Sequence, residues 1–217
     1  MKTDSQLQQD VLAELRWEPS VNAAQIGAEV TDGVVTLAGH VASYSEKWEA
    51  QRAAQRVAGV RGVALEIDVS LPGSASRSDS DIAHAAENVL QWTTYLPRDT
   101  VKVLVEHGRV TLSGLVDWDY QRKAAVLAVR HLLGVTGVSD QIGIADKVAL
   151  GTVKSEIEAA LRRRARADAR EIQVDVHGAD VTLSGTVHSW QERELVCHSA
   201  WGTLGVRNVV DNLTVAF

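Results

Sequence analysis

A seven-residue phrase occurs three times in 217 residues: "GVVTLAG" at 33–39, "GRVTLSG" at 108–114 and "ADVTLSG" at 179–185. A chain that repeats itself in register folds as copies of one unit, which restricts its architecture more than any single motif could. The closing glycines Gly39, Gly114 and Gly185 stand 75 and 71 residues apart, and other positions keep step with them without a gap. Leu15, Leu90 and Leu161 precede the anchors by one interval, and Ile26, Val101 and Ile172 by another. Gly59, Gly134 and Gly205 follow, and then Val63, Val138 and Val209. The boundaries read from this register are 1–70, 79–146 and 147–217, with a linker at 71–78. "SLPGSASRS", residues 70–78, has the Pro, Gly and Ser composition of a flexible connection.

Within a repeat, "DSQLQQDVLAELRW" sets Leu7, Val11 and Leu15 at four-residue steps, the spacing of one helix face. Asp4 is the expected N-cap, with Asp79 in its place in the second repeat. Ile26, Ala28 and Val30, then Val35 and Leu37, alternate with period two around an Asp-Gly pair and predict a hairpin. The second repeat turns on His107-Gly108; in the third, "HGAD" moves the glycine one place earlier, so a different turn type is expected. Ser43 with Glu46 and Ser189 with Glu192 predict capping boxes opening a second helix. The second repeat has Trp118 and Gln121 there, so Asp117 or Asp119 is expected to cap. That helix is expected to end at Gly59, Gly134 and Gly205, in left-handed C-terminal caps. A last strand closes each repeat.

The predicted class is therefore α+β: three tandem αββαβ domains, each a small mixed three-stranded sheet with two helices packed on one face. Alternation leaves the other sheet face open, and it is polar in the first and third repeats. The second shows Leu104 and Leu115 there, so this face is expected to be an interface covered by a neighbouring repeat or a second chain.

Twenty-two basic and 28 acidic residues leave a net charge of −6, which argues against a nucleic-acid partner. No stretch approaches the roughly 20 apolar residues of a transmembrane helix. Met1 to Ser20 carries no continuous apolar segment, so a cytoplasmic location is expected. Cys197 is the one cysteine, which excludes an intramolecular disulfide and a thiolate-rich metal site.

The αββαβ order, the reading G-x-V-T-L-x-G-x-V, and the tails "LLGVTGVSDQIGI" and "LGVRNVVDNLTV" resemble the BON domain, named for bacterial osmotic-stress and nodulation proteins. The first repeat departs at its tail, where Leu65 and Glu66 replace the usual Asp or Asn pair. The resemblance implies three tandem copies of that fold and a non-enzymatic role in stress adaptation, with phospholipid headgroups as partner. An ion sensor whose backbone carbonyls coordinate potassium, or an assembly scaffold working through self or another protein, are the alternatives.

Glycines flanking a strand serve turns and bulges better than they cradle a phosphate, which needs a glycine-rich turn running into a helix. Histidines 40, 84, 107, 131, 177, 188 and 198 never share a column in all three repeats, so no metal site is expected. Cys197, among Leu195, Val196 and Ala200, reads as core. No nucleophile elbow occurs, and neither catalysis nor a cofactor is expected. Two features suit a surface ligand. Tyr44, Trp48, Trp118, Tyr120 and Trp190 gather where the second strand enters the second helix, and amphipathic rings suit a membrane interface, a protein partner or the ends of a core. "RRRARADAR" at 162–170 offers Arg162, Arg163, Arg164 and Arg166 to lipid headgroups, or else a solvated helix face.

Overall fold

The computed structural model describes residues 2–145, 155, 157–159, 172–203 and 206–216. The first repeat runs α1 (Asp4–Trp17), a 3-10 turn (Ala23–Gln25), β1 (Ile26–Thr31), β2 (Val34–Val41), α2 (Tyr44–Arg56) and β3 (Gly62–Val69). The second runs α3 (Asp79–Trp92), β4 (Val101–Glu106), β5 (Arg109–Val116), α4 (Asp119–Arg130) and β6 (Gly137–Ile144). In the third, Ser155 and residues 157–159 are helical. Its β7 (Ile172–His177), β8 (Asp180–Val187), α5 (Trp190–Trp201) and β9 (Asn208–Val215) follow. Gly205 and Arg162, Arg163, Arg164 and Arg166 lie outside the described residues.

Each repeat forms its own three-stranded sheet with the second strand in the middle. β1 pairs antiparallel with β2 through Ile26↔Gly39 and Val30↔Val35, and β2 pairs parallel with β3 through Gly39↔Ile67. The third repeat reproduces this register, with Ile172↔Gly185 and Gly185↔Leu213. A parallel pair needs a crossover, and the second helix supplies it. The sheets are mixed, as the element order predicts.

Leu7, Val11 and Leu15 bury the helix face that their spacing marks, against Val35, Leu37 and Ile67. Ala50, Ala53 and Ala54 are fully buried, so α2 meets the core with methyl groups only. A second core in the third repeat holds Ile157, Val174, Leu183, Val196 and Leu213. Gly39 and Gly114 have φ of 138° and 136°, and a Cβ on either would collide with the carbonyl oxygen of Gln25 or Thr100. The repeated phrase therefore ends in glycine because the chain entering the first strand lies directly against it.

The helix ends depart from expectation. Thr3 and Ser78, not Asp4 and Asp79, are the N-caps, each in a reciprocal box with Gln6 or Asp81. Asp4 instead accepts from the amides of Asp32 (2.9 Å) and Gly33 (3.1 Å), and Asp79 from His107 and Gly108 (both 2.8 Å). Both turns have positive φ at their two central residues, so the amides point outward and need an acceptor. In the third repeat positive φ falls on Gly178, the first central residue, which fits the different turn expected there.

At the second helices, Ser43 and Ser189 do accept from Glu46 and Glu192. The carboxylates, however, reach the residue before the cap: Glu46 accepts from Ala42 (2.8 Å) and Glu192 from His188 (2.7 Å). In the second repeat Gln121 accepts from Asp117 (3.0 Å) and Trp118 (3.1 Å). Asp119 does not take the cap role expected of it; it pairs with Arg122 (2.7 Å) and Lys123 (2.8 Å). The helices also stop before the glycines: α2 ends in an extended Val57, and α4 at Arg130. Gly59 and Gly134, with φ of 107° and 89°, turn the chain a few residues later.

Two compact units make up the chain. One is Met1–Thr94, Lys102–Ser113 and Ala125–Gln141; the other is Tyr95–Val101, Gly114–Ala124 and Ile142–Phe217.

Candidate functional site

Anion binding at the second helices is blocked from within. Glu46 is buried, its two oxygens taken by Asn22 and Ala42 at 2.8 Å each, so the protein's own carboxylate holds the place a phosphate would need. Gln121 and Glu192 occupy the same position in the other repeats. Of the glycines of the phrase, Gly33 and Gly108 spend their amides on Asp4 and Asp79, the first residues of α1 and α3, and Gly39 and Gly114 lie within the middle strand, so neither set is left to cradle a phosphate.

Among the described residues no group of three His, Cys, Asp or Glu side chains is placed to hold a metal ion. Cys197 is half-buried, its Sγ 3.3 Å from Asp211. Burial, reinforced by the hydrogen bond to that carboxylate, pushes the thiol up to about 12, so it stays protonated and is a poor nucleophile. It packs against the third core, beside the Arg193–Asp211 ion pair (2.8 Å).

The sequence-selected tryptophans lie each in its own repeat. Trp48 is half-buried under two guanidinium groups, Arg130 at 3.7 Å and Arg52 at 4.8 Å from the ring centre. This belongs to a contact between repeats inside the first compact unit, where Ser45 Oγ also lies 2.6 Å from His131 Nδ1. Burial draws Arg130 below its ordinary value, while Tyr44 and Glu49 act to raise it. Trp118 is half-buried beside Tyr120, ring centres 6.4 Å apart. Trp190 is half-buried with Arg193 at 5.1 Å. Inside the second compact unit Arg122 lies 4.8 Å over Trp201.

The aromatics most open to solvent are others. Trp17 and Trp92 are 84% and 85% exposed, and Tyr95 and Tyr120 are 64% and 50% exposed in an edge-to-face pair. Trp17 and Trp92 are the last residues of α1 and α3 and share one column of the repeat, whose third member is Arg163. The signal was present in the sequence: a tryptophan recurring at one position off the Leu7–Val11–Leu15 face has no core to enter.

Leu104 and Leu115 are 56% and 61% exposed, so the expected cover by a neighbouring repeat is not found. Leu115 Cδ2 lies over Gly143, where an added Cβ would come within 2.8 Å. An alternating strand shows which face a side chain takes but not whether anything covers it. No described helix is long and apolar enough to cross a membrane.

No curated protein matches the chain. Among solved structures it is similar to two of CdsD, a structural protein of the type III secretion system of Chlamydia trachomatis. One shows 13% identity over 96% of this chain and 91% of that one, with a TM-score of 0.27. The other, a C-terminal domain, shows 14% identity over 100% of both chains with a TM-score of 0.28. The PrgH periplasmic domain matches at 13% identity over 96% and 100%, with a TM-score of 0.22. Scores this low carry no functional argument. The BON domain model, in contrast, matches residues 3–70, 78–146 and 150–216. With the αββαβ order, the shared sheet register and the recurring glycine geometry all in place, the chain belongs to the BON family and carries three copies of its domain in tandem.

Proposed function

We propose that this is a non-enzymatic binding protein that engages phospholipid surfaces through the exposed indoles of Trp17 and Trp92. The observation that carries this reading is the near-complete exposure of Trp17 and Trp92 at one place in two repeats. An indole left in water gives up the burial energy that a large apolar ring can gain, and the headgroup layer accepts both its apolar body and its N–H. The net charge of −6 opposes strongly anionic membranes, so the rings carry more of this reading than Coulomb attraction does. Trp48, held between two arginines, is a poor candidate for insertion.

Flotation with neutral and with anionic vesicles tests this, read with tryptophan fluorescence. Binding with a blue-shifted emission is expected, lost in the Trp17→Ser, Trp92→Ser double variant. No binding to either vesicle, or binding indifferent to both substitutions, would overturn it. A second reading, assembly through the open sheet face of the middle repeat, is favoured by the exposed Leu104 and Leu115. Loss of self-association in Leu104→Ser is its test.

A further inference from the structure

We infer that Tyr95, Trp118 and Tyr120 of the middle repeat form a docking site for a proline-rich peptide in the polyproline II conformation. The three rings lie inside the second compact unit and meet through Tyr120: Tyr95 is edge to face with it at 6.0 Å and 87°, and Trp118 lies 6.4 Å away at 30°. The fold does not require them. In repeat register their columns hold Ser20, Ser43 and Ser45 in the first repeat and Arg166, Ser189 and Gln191 in the third. The first and third sheets keep one register with no ring at these columns. Trp118 stands where Ser43 and Ser189 cap a helix, so the middle repeat gives up a capping hydroxyl to carry an indole. A fourth change in the same repeat fixes the rings, because Gln121 stands in the column of Glu46 and Glu192. Its buried side chain accepts from the amides of Asp117 (3.0 Å) and Trp118 (3.1 Å), and its Nε2 donates to the Tyr95 carbonyl at 3.0 Å. A carboxylate could accept the first two bonds but could not donate the third. One buried amide therefore ties the loop carrying Tyr95 to the start of α4, and the rings are placed before any ligand arrives.

The cluster offers ring faces and hydrogen-bond donors. Among the described residues, neither phenol oxygen nor the Trp118 indole N–H has a hydrogen-bond partner. The amide and carboxylate beside them are already engaged, Gln121 as above and Asp119 with Arg122 and Lys123. The matching ligand is rich in acceptors, poor in donors and apolar enough to lie on aromatic faces. A proline run meets all three conditions: its tertiary amides have no N–H, its polyproline II helix leaves the carbonyls without internal partners, and its pyrrolidine rings pack on aromatic side chains. Two residues of that helix advance about 6 Å, which matches the spacing of the rings. A sugar brings as many donors as acceptors, and Gln121 and Asp119 are not free to meet them. A lipid layer rewards rings that insert whole, whereas these are packed on one another, with Trp118 half-buried.

Titrating the full chain into a fluorescently labelled oligoproline peptide, read by anisotropy and without vesicles, tests this. Saturable binding is expected, with no binding of a glycine-serine peptide of equal length. Tyr95→Ala removes an aromatic anchor and weakens binding about tenfold. Tyr120→Phe keeps the ring but loses one donor, and weakens it about twofold to tenfold. The Trp17→Ser, Trp92→Ser double variant keeps full peptide affinity, so failure here and failure of the lipid reading are separate results. Melting curves confirm that each variant is folded. Absence of oligoproline binding, equal binding of the glycine-serine peptide, or affinity indifferent to both tyrosine substitutions would overturn the inference. So would peptide binding lost with Trp17 and Trp92, which would place the contact elsewhere. Oligoproline left unbound, together with weaker vesicle flotation of Tyr95→Ala, would assign the rings to the membrane instead.

Discussion

Asp79 accepts two backbone hydrogen bonds from the hairpin of its own repeat, and those from Gly108 and His107 hold its carboxyl below the ordinary value of 3.8. Only the ionised form can accept both bonds at full strength. The folded state therefore binds this proton less readily than the unfolded chain does. The stabilisation is fully present above pH 3.8 and is lost as pH falls through the lower, folded value. Asp79→Asn is expected to remove part of the acid sensitivity while lowering stability at neutral pH, which urea melts at neutral and acid pH would show. Equal loss at both would mean that the carboxylate charge contributes nothing. At this scale the sequence marks Asp4 and Asp79 as equivalent but misassigns their role. A serine or threonine and an aspartate stand side by side, either can cap a helix, and only the approach of the hairpin decides between them.

The second strand is the element on which each repeat is organised, because it pairs with both neighbours. Its glycine is the position least open to change. At Gly114, φ of 136° and the Thr100 carbonyl together exclude a side chain. Gly114→Ala is expected to cost about 1–3 kcal/mol for the backbone conformation alone, with the steric collision in addition. Gly73→Ala, in the linker with open space around it, is the control and should change stability little. Denaturant melts compare the two, and equal effects would refute the close-approach argument. The elements themselves are legible from sequence because periods of 3.6 and 2 follow directly from backbone geometry. Their ends are less so. α2 and α4 stop before Gly59 and Gly134, since a glycine permits a left-handed residue without dictating where hydrogen bonding ceases.

Among the contacts between repeats, each inside one compact unit, are guanidinium groups over indole rings, which are worth about 0.5–2 kcal/mol each depending on desolvation. A double-mutant cycle on Trp48→Ala and Arg130→Ala, read by urea unfolding, should return a coupling energy of about 1 kcal/mol. Strict additivity would show that the stacking is incidental. Sequence offers Trp48 equally to a membrane interface, a protein partner or the end of a core, and the structure places it under Arg130. Trp17 and Trp92, as apolar and as legible as repeats, stand in solvent.

The threefold copying, the αββαβ order, the inward-facing aliphatics and the need for glycine at the end of each phrase were all set by the sequence alone. Each follows from a local period or a local backbone demand that neighbouring residues in the chain express by themselves. Which acceptor serves which turn, which tryptophan is covered and which leucine is left bare were decided only in the tertiary structure. Those outcomes depend on what residues tens of positions away bring to the same point in space, and no period along the chain encodes that meeting.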